Sequence, residues 1–564
     1  MRLINAQTLA VEYFDDDKIP QYAILSHRWE EGEVLFEDTK DGYAKQKRGY
    51  AKVCNSARQA LRDGLQYIWI DTCCINKDSS AELSEAINSM YGWYKNATKC
   101  YAYLSDVMLP PDEIEIGNSF ELSAWFTRGW TLQELIAPSE VSFFDRLWRF
   151  IGTKDSLLER ITTITGIQRE ALSGYDLRYF SVAQRMAWAS SRITTRKEDI
   201  AYSLLGIFDV NMPMLYGEGT KAFMRLQEEI IKRDSDHSVF AWTGDASTLP
   251  FLADSPKLFK HCHDIGWGRS YLHKDTPYSM TNMGLDIELP LIPWSMFIYL
   301  ALLRCRDMTE GSLIGIFIHY DPLLGQYRRT SFHGRYIEYL KPDLSRRLRG
   351  AAVGAFEMSQ RLLIRTDKPA NDPRDEMYGF CLGQCLVMDT HLENSKMLEV
   401  YARKWDSRDR IMELPEGRCG TVGVLVFRQP PPCTPACLAI KLGFDRLFKP
   451  VCLVWLTQSE PPRWTSQEAK VLDERQLGQI LDSSWILQPE PSHFNVKEFE
   501  DIGFESVDNL SRSHDGSTRF LKRGPGGSYL NYFRIYQYDV CVDFLWESIN
   551  GRDGYTVKIW VGLA

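Results

Sequence analysis

The chain has no excess of positive charge: 66 lysines and arginines stand against 75 aspartates and glutamates, a net charge of −9. Such a balance argues against a nucleic-acid coat or an anionic membrane surface as the main partner and points to small molecules and proteins. Long apolar runs are lacking too. Leu289 to Leu303 is the longest, but Pro290 and Pro293 interrupt it and Arg304 ends it. It falls short of the roughly 20 residues that span a bilayer, so a buried strand is expected there and no membrane segment. The opening Met1-Arg2-Leu3-Ile4-Asn5-Ala6-Gln7-Thr8 moves straight into polar residues without the apolar core of a secretory signal, so a cytoplasmic protein is expected. No Gly-rich phosphate loop of the Lys-Ser/Thr type occurs, which removes the usual nucleotide triphosphatase motor. Internal repeats and low-complexity tracts are also missing.

Cysteine is neither scarce nor patterned. The 13 cysteines are an odd number scattered along the chain, which fits reduced thiols better than a disulfide framework. Cys381/Cys385 and Cys433/Cys437 form two C-x3-C pairs and His261-Cys262-His263 a third cluster, but these spacings match no standard zinc signature. Ordinary thiols and no metal are expected.

What is present is a folded, multidomain chain. At 564 residues it exceeds one hydrophobic core, and roughly two to four domains are expected. Hydrophobic residues at 44% and aromatics at 12% are those of a globular protein rather than a disordered one. Tyr22 to Ser26 reads as a buried strand that stops at His27-Arg28. Ala51 to Arg62 carries apolar residues at helical spacing, and Leu65 to Asp71 follows as a second strand. Ser79 and Glu82 suit a capping box for the next helix, and Cys100 to Leu104 and Val141 to Phe144 supply two further strands. Such alternation implies a parallel sheet with right-handed crossovers and helices on both faces, an α/β domain over residues 1–150.

Residues 151–242 read as a helical extension, with Ser181 to Ala189 and Asp199 to Phe208 in helical pattern and a further helix over Gly219 to Lys232. Within it, Arg192, Arg196 and Lys197 followed by Glu198 and Asp199 suit an anion site or a solvated, salt-bridged connector. Residues 243–564 turn to short apolar or alternating runs and read as a mainly β region that closes on a hairpin from Tyr536 to Leu545 and Tyr555 to Val561.

Ligands in doubly wound sheets gather at the carboxyl ends of the strands. Ser26, His27 and Arg28 sit at one such end and Asp71 at the next. Arg28 and Asp71 suit either a ligand site or a turn held by an ion pair; Trp29 suits a ring stack or a plug at the core edge. The most pointed stretch is Trp125-Phe126-Thr127-Arg128-Gly129-Trp130-Thr131-Leu132-Gln133-Glu134-Leu135. Glu134 lies four residues beyond Trp130, hence on one side of a short helix that Pro138 would stop. A carboxylate half-buried beside an indole is tuned for catalysis or binding; the plainer reading is a surface ion pair, with Arg128 as one partner, and Trp130 in the core.

Ala23-Ile24-Leu25-Ser26-His27-Arg28-Trp29, Ile68-Trp69-Ile70-Asp71-Thr72-Cys73-Cys74-Ile75-Asn76-Lys77, and Phe126 to Leu135 together resemble the fungal heterokaryon incompatibility (HET) domain. The likeness extends through Thr194 to Phe208 and Asn211 to Gly219, as in vegetative incompatibility proteins of that group. HET domains are similar to Toll-receptor-like (TIR) domains, so the resemblance implies a TIR-like core. Many TIR domains cleave NAD with a glutamate in a Trp-x-x-x-Glu setting, the spacing of Trp130 and Glu134. On that resemblance Glu134 is the catalytic residue, Ser26, His27, Arg28, Asp71 and Trp130 line the nucleotide site, and NAD is a substrate rather than a tightly bound cofactor. The implied role is self/non-self recognition and regulated cell death, with protein partners or self-association through the HET domain. Three readings follow: a NAD glycohydrolase; a binding module that signals by homotypic assembly without chemistry; and a hydrolase pairing Cys73 or Cys74 with His27.

Overall fold

The computed structural model describes residues 1–40, 43–109, 119–244, 251–267, 276–295, 298–321, 324–331, 335–340 and 359–366. Beyond these it describes strands within residues 379–387, 398–428, 437–457, 470–471, 505–506, 518–549 and 552–563. The chain divides into two compact units, the first made of Met1–Pro290, Ala301–Phe317 and Ser331–Lys368, the second of Leu291–Leu300, Ile318–Thr330 and Pro369–Ala564.

The first unit opens with β1 (Arg2–Asn5) and β2 (Val11–Tyr13), an antiparallel pair. β3 (Tyr22–His27) follows, buried along its whole length, then α1 (Tyr50–Arg62), β4 (Tyr67–Trp69), α2 (Asp71–Cys74), α3 (Ser80–Asn96) and β5 (Lys99–Tyr103). α4 (Thr131–Ile136), β6 (Val141–Phe144) and β7 (Phe150–Thr153) complete the layer. The sheet order is β2-β1-β4-β3-β5-β6-β7, and β4, β3, β5 and β6 run parallel. In chain order those four strands stand 2-1-3-4, the doubly wound arrangement whose switch point lies between the first and third strands. The expected strands are all there, but the sheet is mixed: β1, β2 and β7 pair antiparallel at its edges.

Each helix forms for a legible local reason. Val53, Ala57 and Ala60 put the buried stripe of α1 on the sheet, and Gly64 leaves the helix end at φ 79°, a conformation that glycine adopts freely. Ser79 caps α3 by accepting the Glu82 amide, yet Glu82 does not close a capping box. Its carboxylate accepts the Asn76 amide and the Arg2 guanidinium instead, tying β1 to the start of α3.

Six helices follow: α5 (Leu158–Thr165), α6 (Arg169–Leu172), α7 (Val182–Ala189), α8 (Asp199–Tyr202), α9 (Leu205–Phe208) and α10 (Lys221–Arg233). Ser181 and Gln184 cap α7 reciprocally. Gly206 in α9 lies where an added Cβ would run into the Tyr91 side chain, so only glycine lets α9 come that close to α3.

The run read as one buried strand at Leu289 to Leu303 is two, β8 over Gly284–Ser295 and β9 over Ile298–Asp307. The first pairs antiparallel with Ser359–Arg365 through Leu285–Pro290. The second unit contains two sheets among the described residues. One is ordered Trp405–Asp406, Ile411–Glu413, Gly379–Val387, Arg552–Leu563, Tyr538–Ile549, Tyr529–Ile535, Thr518–Arg523, Glu505–Ser506; the other Pro450–Thr457, Cys437–Phe444, Gly420–Arg428, Leu398–Ala402, Lys470–Val471. The closing hairpin is present, with Tyr538–Ile549 antiparallel to Arg552–Leu563, longer at its inner ends than the sequence suggests. Among the described residues no helix is long and apolar enough to cross a membrane.

Candidate functional site

β3 ends at the switch point, and its last two residues lead to opposite faces because side chains alternate along a strand. Ser26 points to the face covered by α3 and α4. There its hydroxyl donates to Glu134 Oε2 and accepts the Trp125 indole N–H at 2.9 Å. Tyr94 of α3 stands on the same side, with its hydroxyl donating to the Leu25 carbonyl at 3.1 Å. Phe126 and Phe143 meet Trp125 edge-on, with ring centroids 5.1 and 5.7 Å away.

Glu134 is only 7% exposed. Burial pushes its carboxyl up to about 8; the Ser26 hydrogen bond and the charges of Arg128 and Arg192 resist that rise, and the Asp71 carboxylate adds to it. Glu134 is therefore a neutral acid at neutral pH in this closed state.

α4 is held rigidly at both ends. Thr131 Oγ1 donates to the Trp125 and Arg128 carbonyls at 2.5 and 2.9 Å, and the Lys154 ammonium caps the far end at the Pro138 carbonyl, 2.6 Å away. A cation at a helix carboxyl end complements the dipole as well as the open carbonyls. The segment before α4 pairs with the helical extension: Gly129 N donates to the Ile193 carbonyl at 2.9 Å and Ile193 N to the Thr127 carbonyl at 2.7 Å. Gly129 has no room for a Cβ because the Thr194 side chain fills it. This pairing brings in Arg192, 2% exposed, whose guanidinium donates to the Arg128 carbonyl at 2.8 Å and to Thr131 Oγ1 at 3.0 Å. Burial pushes Arg192 down to about 9, against the pull of the Glu134 charge.

His27 leads to the second group. Its Nε2 lies 3.0 Å from Asp71 Oδ1, and the Trp29 indole N–H donates to Asp71 Oδ2 at 2.7 Å. The Lys77 ammonium lies 3.2 Å from the Trp29 ring centroid. Burial pushes the Asp71 carboxyl up, but the His27 hydrogen bond and charge, the Lys77 charge and the Trp29 N–H outweigh it and bring it to about 2. Asp71 stays ionised where Glu134 does not.

The residues expected from the sequence are thus gathered two by two. Ser26 joins Glu134, and His27 joins Asp71. Arg28 turns away from Asp71 and pairs with Asp106 at 3.5 Å, the same carboxylate that accepts the Ser123 hydroxyl at 2.8 Å. Trp130, the N-cap of α4, does not serve Glu134: its indole hydrogen-bonds Asp199 instead. The indole of this site is Trp125. Arg128 reaches Thr195 Oγ1 at 3.5 Å and acts on Glu134 through its charge alone.

Other expectations are corrected. Trp29 is no core plug, being 47% exposed. Cys73 and Cys74 do not pair with His27: Cys73 Sγ donates to the Val34 carbonyl, Cys74 Sγ accepts the Ile70 amide, and burial pushes the Cys73 thiol up to about 12. A cysteine nucleophile has no base here. The cationic run is split: Arg192 is buried under α4, whereas Arg196 and Lys197 are exposed, Arg196 lying 4.4 Å from the Tyr216 ring centroid. Cys262 and His263 serve packing, with contacts to the Ala241 and Gly166 carbonyls; Cys433 lies outside the described residues.

Sequence reasoning missed Tyr94, Lys77, Lys154 and the site role of Arg192. Only Lys77 carried a signal, as the cation closing the same motif as Asp71. The others come from elements far apart in the chain.

Residues 22–113 match the family described as Heterokaryon incompatibility protein (HET), and residues 221–264 match a domain of unknown function (DUF8212). The chain is similar to the vegetative incompatibility protein HET-E-1 of Podospora anserina, 54% identical over 224 residues, which is 38% of this chain and 16% of that protein. It therefore spans about a sixth of the length of that curated relative. No solved structure matches. The match to the HET family over residues 22–113 is the one the motifs suggest. Ser26, His27 and Asp71 fall within the HET match; Trp125, Glu134 and Arg192 lie beyond it.

Proposed function

We propose that this chain is a cytoplasmic signalling module of heterokaryon incompatibility, acting in self/non-self recognition and regulated cell death, and that its sheet unit is TIR-like and cleaves NAD. The relationship to HET-E-1 supports the biological role. Supporting the chemistry is one observation above the rest: a buried glutamate, Glu134, bonded to Ser26, the second-last residue of β3, at the switch point of a doubly wound sheet.

In that reaction the bond from ribose C1′ to the nicotinamide nitrogen breaks, and its electron pair leaves with neutral nicotinamide. Water adds to C1′ and releases a proton, giving ADP-ribose. Positive charge develops on the ribose in between, and an ionised carboxylate set beside it lowers the barrier. Glu134 in its closed, neutral state cannot supply that charge. Opening of the site lets water reach the carboxyl group, brings its pKa down and ionises it, so turnover depends on a change such as self-association. Ser26, through its hydroxyl, and Arg192, through its charge, favour the ionised form.

The test is NAD consumption by the purified full chain, at concentrations that permit association, beside Glu134→Gln with its fold checked by circular dichroism. The wild type should release nicotinamide, and Glu134→Gln should lose on the order of 100-fold or more in rate. Equal rates, or none in either, reject the enzymatic reading. The near-closure of Glu134 favours a second reading, signalling by assembly alone. It predicts concentration-dependent association that Glu134→Gln leaves unchanged and no NAD loss at any concentration.

A further inference from the structure

Trp29 is 47% exposed at the end of β3, yet it is pinned twice. Its N–H is held by Asp71 at 2.7 Å, and the Lys77 ammonium lies against its ring, 3.2 Å from the centroid. Lys77 Nζ is itself out of solvent and has no hydrogen-bond partner. A desolvated ammonium without an acceptor is costly, and here the π-face of the indole and the charges of Asp71 and, more weakly, Glu33 offset that cost. Nothing in core packing asks for this arrangement, because the ring it immobilises stands half in water. With one face covered by Lys77 and the N–H taken by Asp71, the other face is the one left open. His27, whose side chain is 2% exposed, adds a second unpartnered buried polar atom to the same cluster, its Nδ1.

We propose that the outer face of Trp29 is a stacking platform for the neutral base of a nucleotide, an adenine-type ring, at the carboxyl edge of the sheet. Location and rigidity argue for a small ligand, since doubly wound sheets take nucleotides at this edge and a ring fixed in advance loses little entropy on stacking. The charge behind the ring selects which base. An ammonium on the far side of the indole repels a cationic pyridinium stacked on the near side, whereas a neutral purine meets no such opposition. The assignment rests on the NAD reading in one respect: it gives the adenine end of the dinucleotide to Trp29 and leaves the nicotinamide end to Glu134.

The experiment is calorimetric titration of the full chain carrying Glu134→Gln, which removes turnover, with AMP and with nicotinamide mononucleotide, whose ring is cationic. AMP should bind more tightly than nicotinamide mononucleotide. Trp29→Ala should weaken AMP about 10-fold or more, Trp29→Phe should recover most of that loss, and Lys77→Met should narrow the preference between the two ligands. Circular dichroism confirms that each variant is folded. Absence of AMP binding, or AMP affinity unchanged in Trp29→Ala, overturns the platform, as does a Trp29→Ala variant that keeps AMP affinity but loses self-association. The two readings fail separately: Trp29-dependent AMP binding in a chain that consumes no NAD rejects the cleavage, while NAD consumption with an unchanged KM in Trp29→Ala rejects the platform.

Discussion

Ser26 and His27 are neighbours on one strand, yet they lead to carboxyl groups in opposite electrostatic states. On one face Glu134 shares the Ser26 hydroxyl with Trp125, and burial raises its pKa to about 8. At the rim Asp71 is half-buried, and His27, Lys77 and Trp29 supply enough hydrogen bonds and positive charge to bring it to about 2. Two carboxyl groups that feel each other's charge are thus driven apart by what surrounds them. A pair separated in this way is the arrangement that lets one group hold a proton and the other a charge at the same pH.

Replacing the two acids in turn breaks the contrast, with stability trends of opposite sign. The larger effect is expected from Glu134→Gln. Because the folded pKa of Glu134 lies above its ordinary value of 4.5, ionisation works against the fold, and wild-type stability falls as pH rises from about 4.5 to about 8. The glutamine variant escapes this and should be more stable than wild type by on the order of 5 kcal/mol above pH 8, with the gap closing toward pH 4.5. Urea unfolding at several pH values, followed by a probe in the sheet unit, measures it; a gap that does not change with pH counts against a buried acid. A gain in stability coupled to loss of NAD cleavage would be the mark of a site kept at a cost to the fold.

Asp71→Asn should do the reverse and rather less. Its folded pKa is depressed, so its contribution is fully present above about 3.8 and is lost as pH falls through about 2. The variant should be less stable than wild type by about 2 kcal/mol at neutral pH, and the two curves should converge on acidification. Convergence on the alkaline side would contradict the assignment. The smallest change sharpens the contrast instead of breaking it. Ser26→Ala removes a hydrogen bond that favours ionised Glu134 and leaves the Trp125 N–H without its acceptor, which should cost about 1 kcal/mol and move the Glu134 titration still higher. The carboxyl stretch of Glu134, isolated by infrared difference against Glu134→Gln, reads that movement directly.

Much of the sheet unit was legible because its signals are local. Apolar runs closed by polar residues marked β3 to β6, and helical spacing marked α1 and α3. Glu134, Ser26, His27 and Asp71 stood out as polar residues at the ends of those runs. The errors share a cause in that they required knowing what packs where. Trp130 and Trp125 look alike in the motif, and only the fold decides that Trp125 shares the Ser26 hydroxyl with Glu134 while Trp130 goes to Asp199. Arg192 reads as one cation among several until the pairing of Gly129 with Ile193 carries it under α4.

The sequence by itself determined the class of the sheet unit, its HET motifs and the four polar residues at its strand ends, because periodicity and strand termination depend on residues close together in the chain. The tertiary structure alone decided which of those residues meet, and with what charge. Burial and the approach of Trp125, Lys77 and Arg192 depend on segments dozens of residues apart. Those contacts make one carboxyl group an acid and the other an anion.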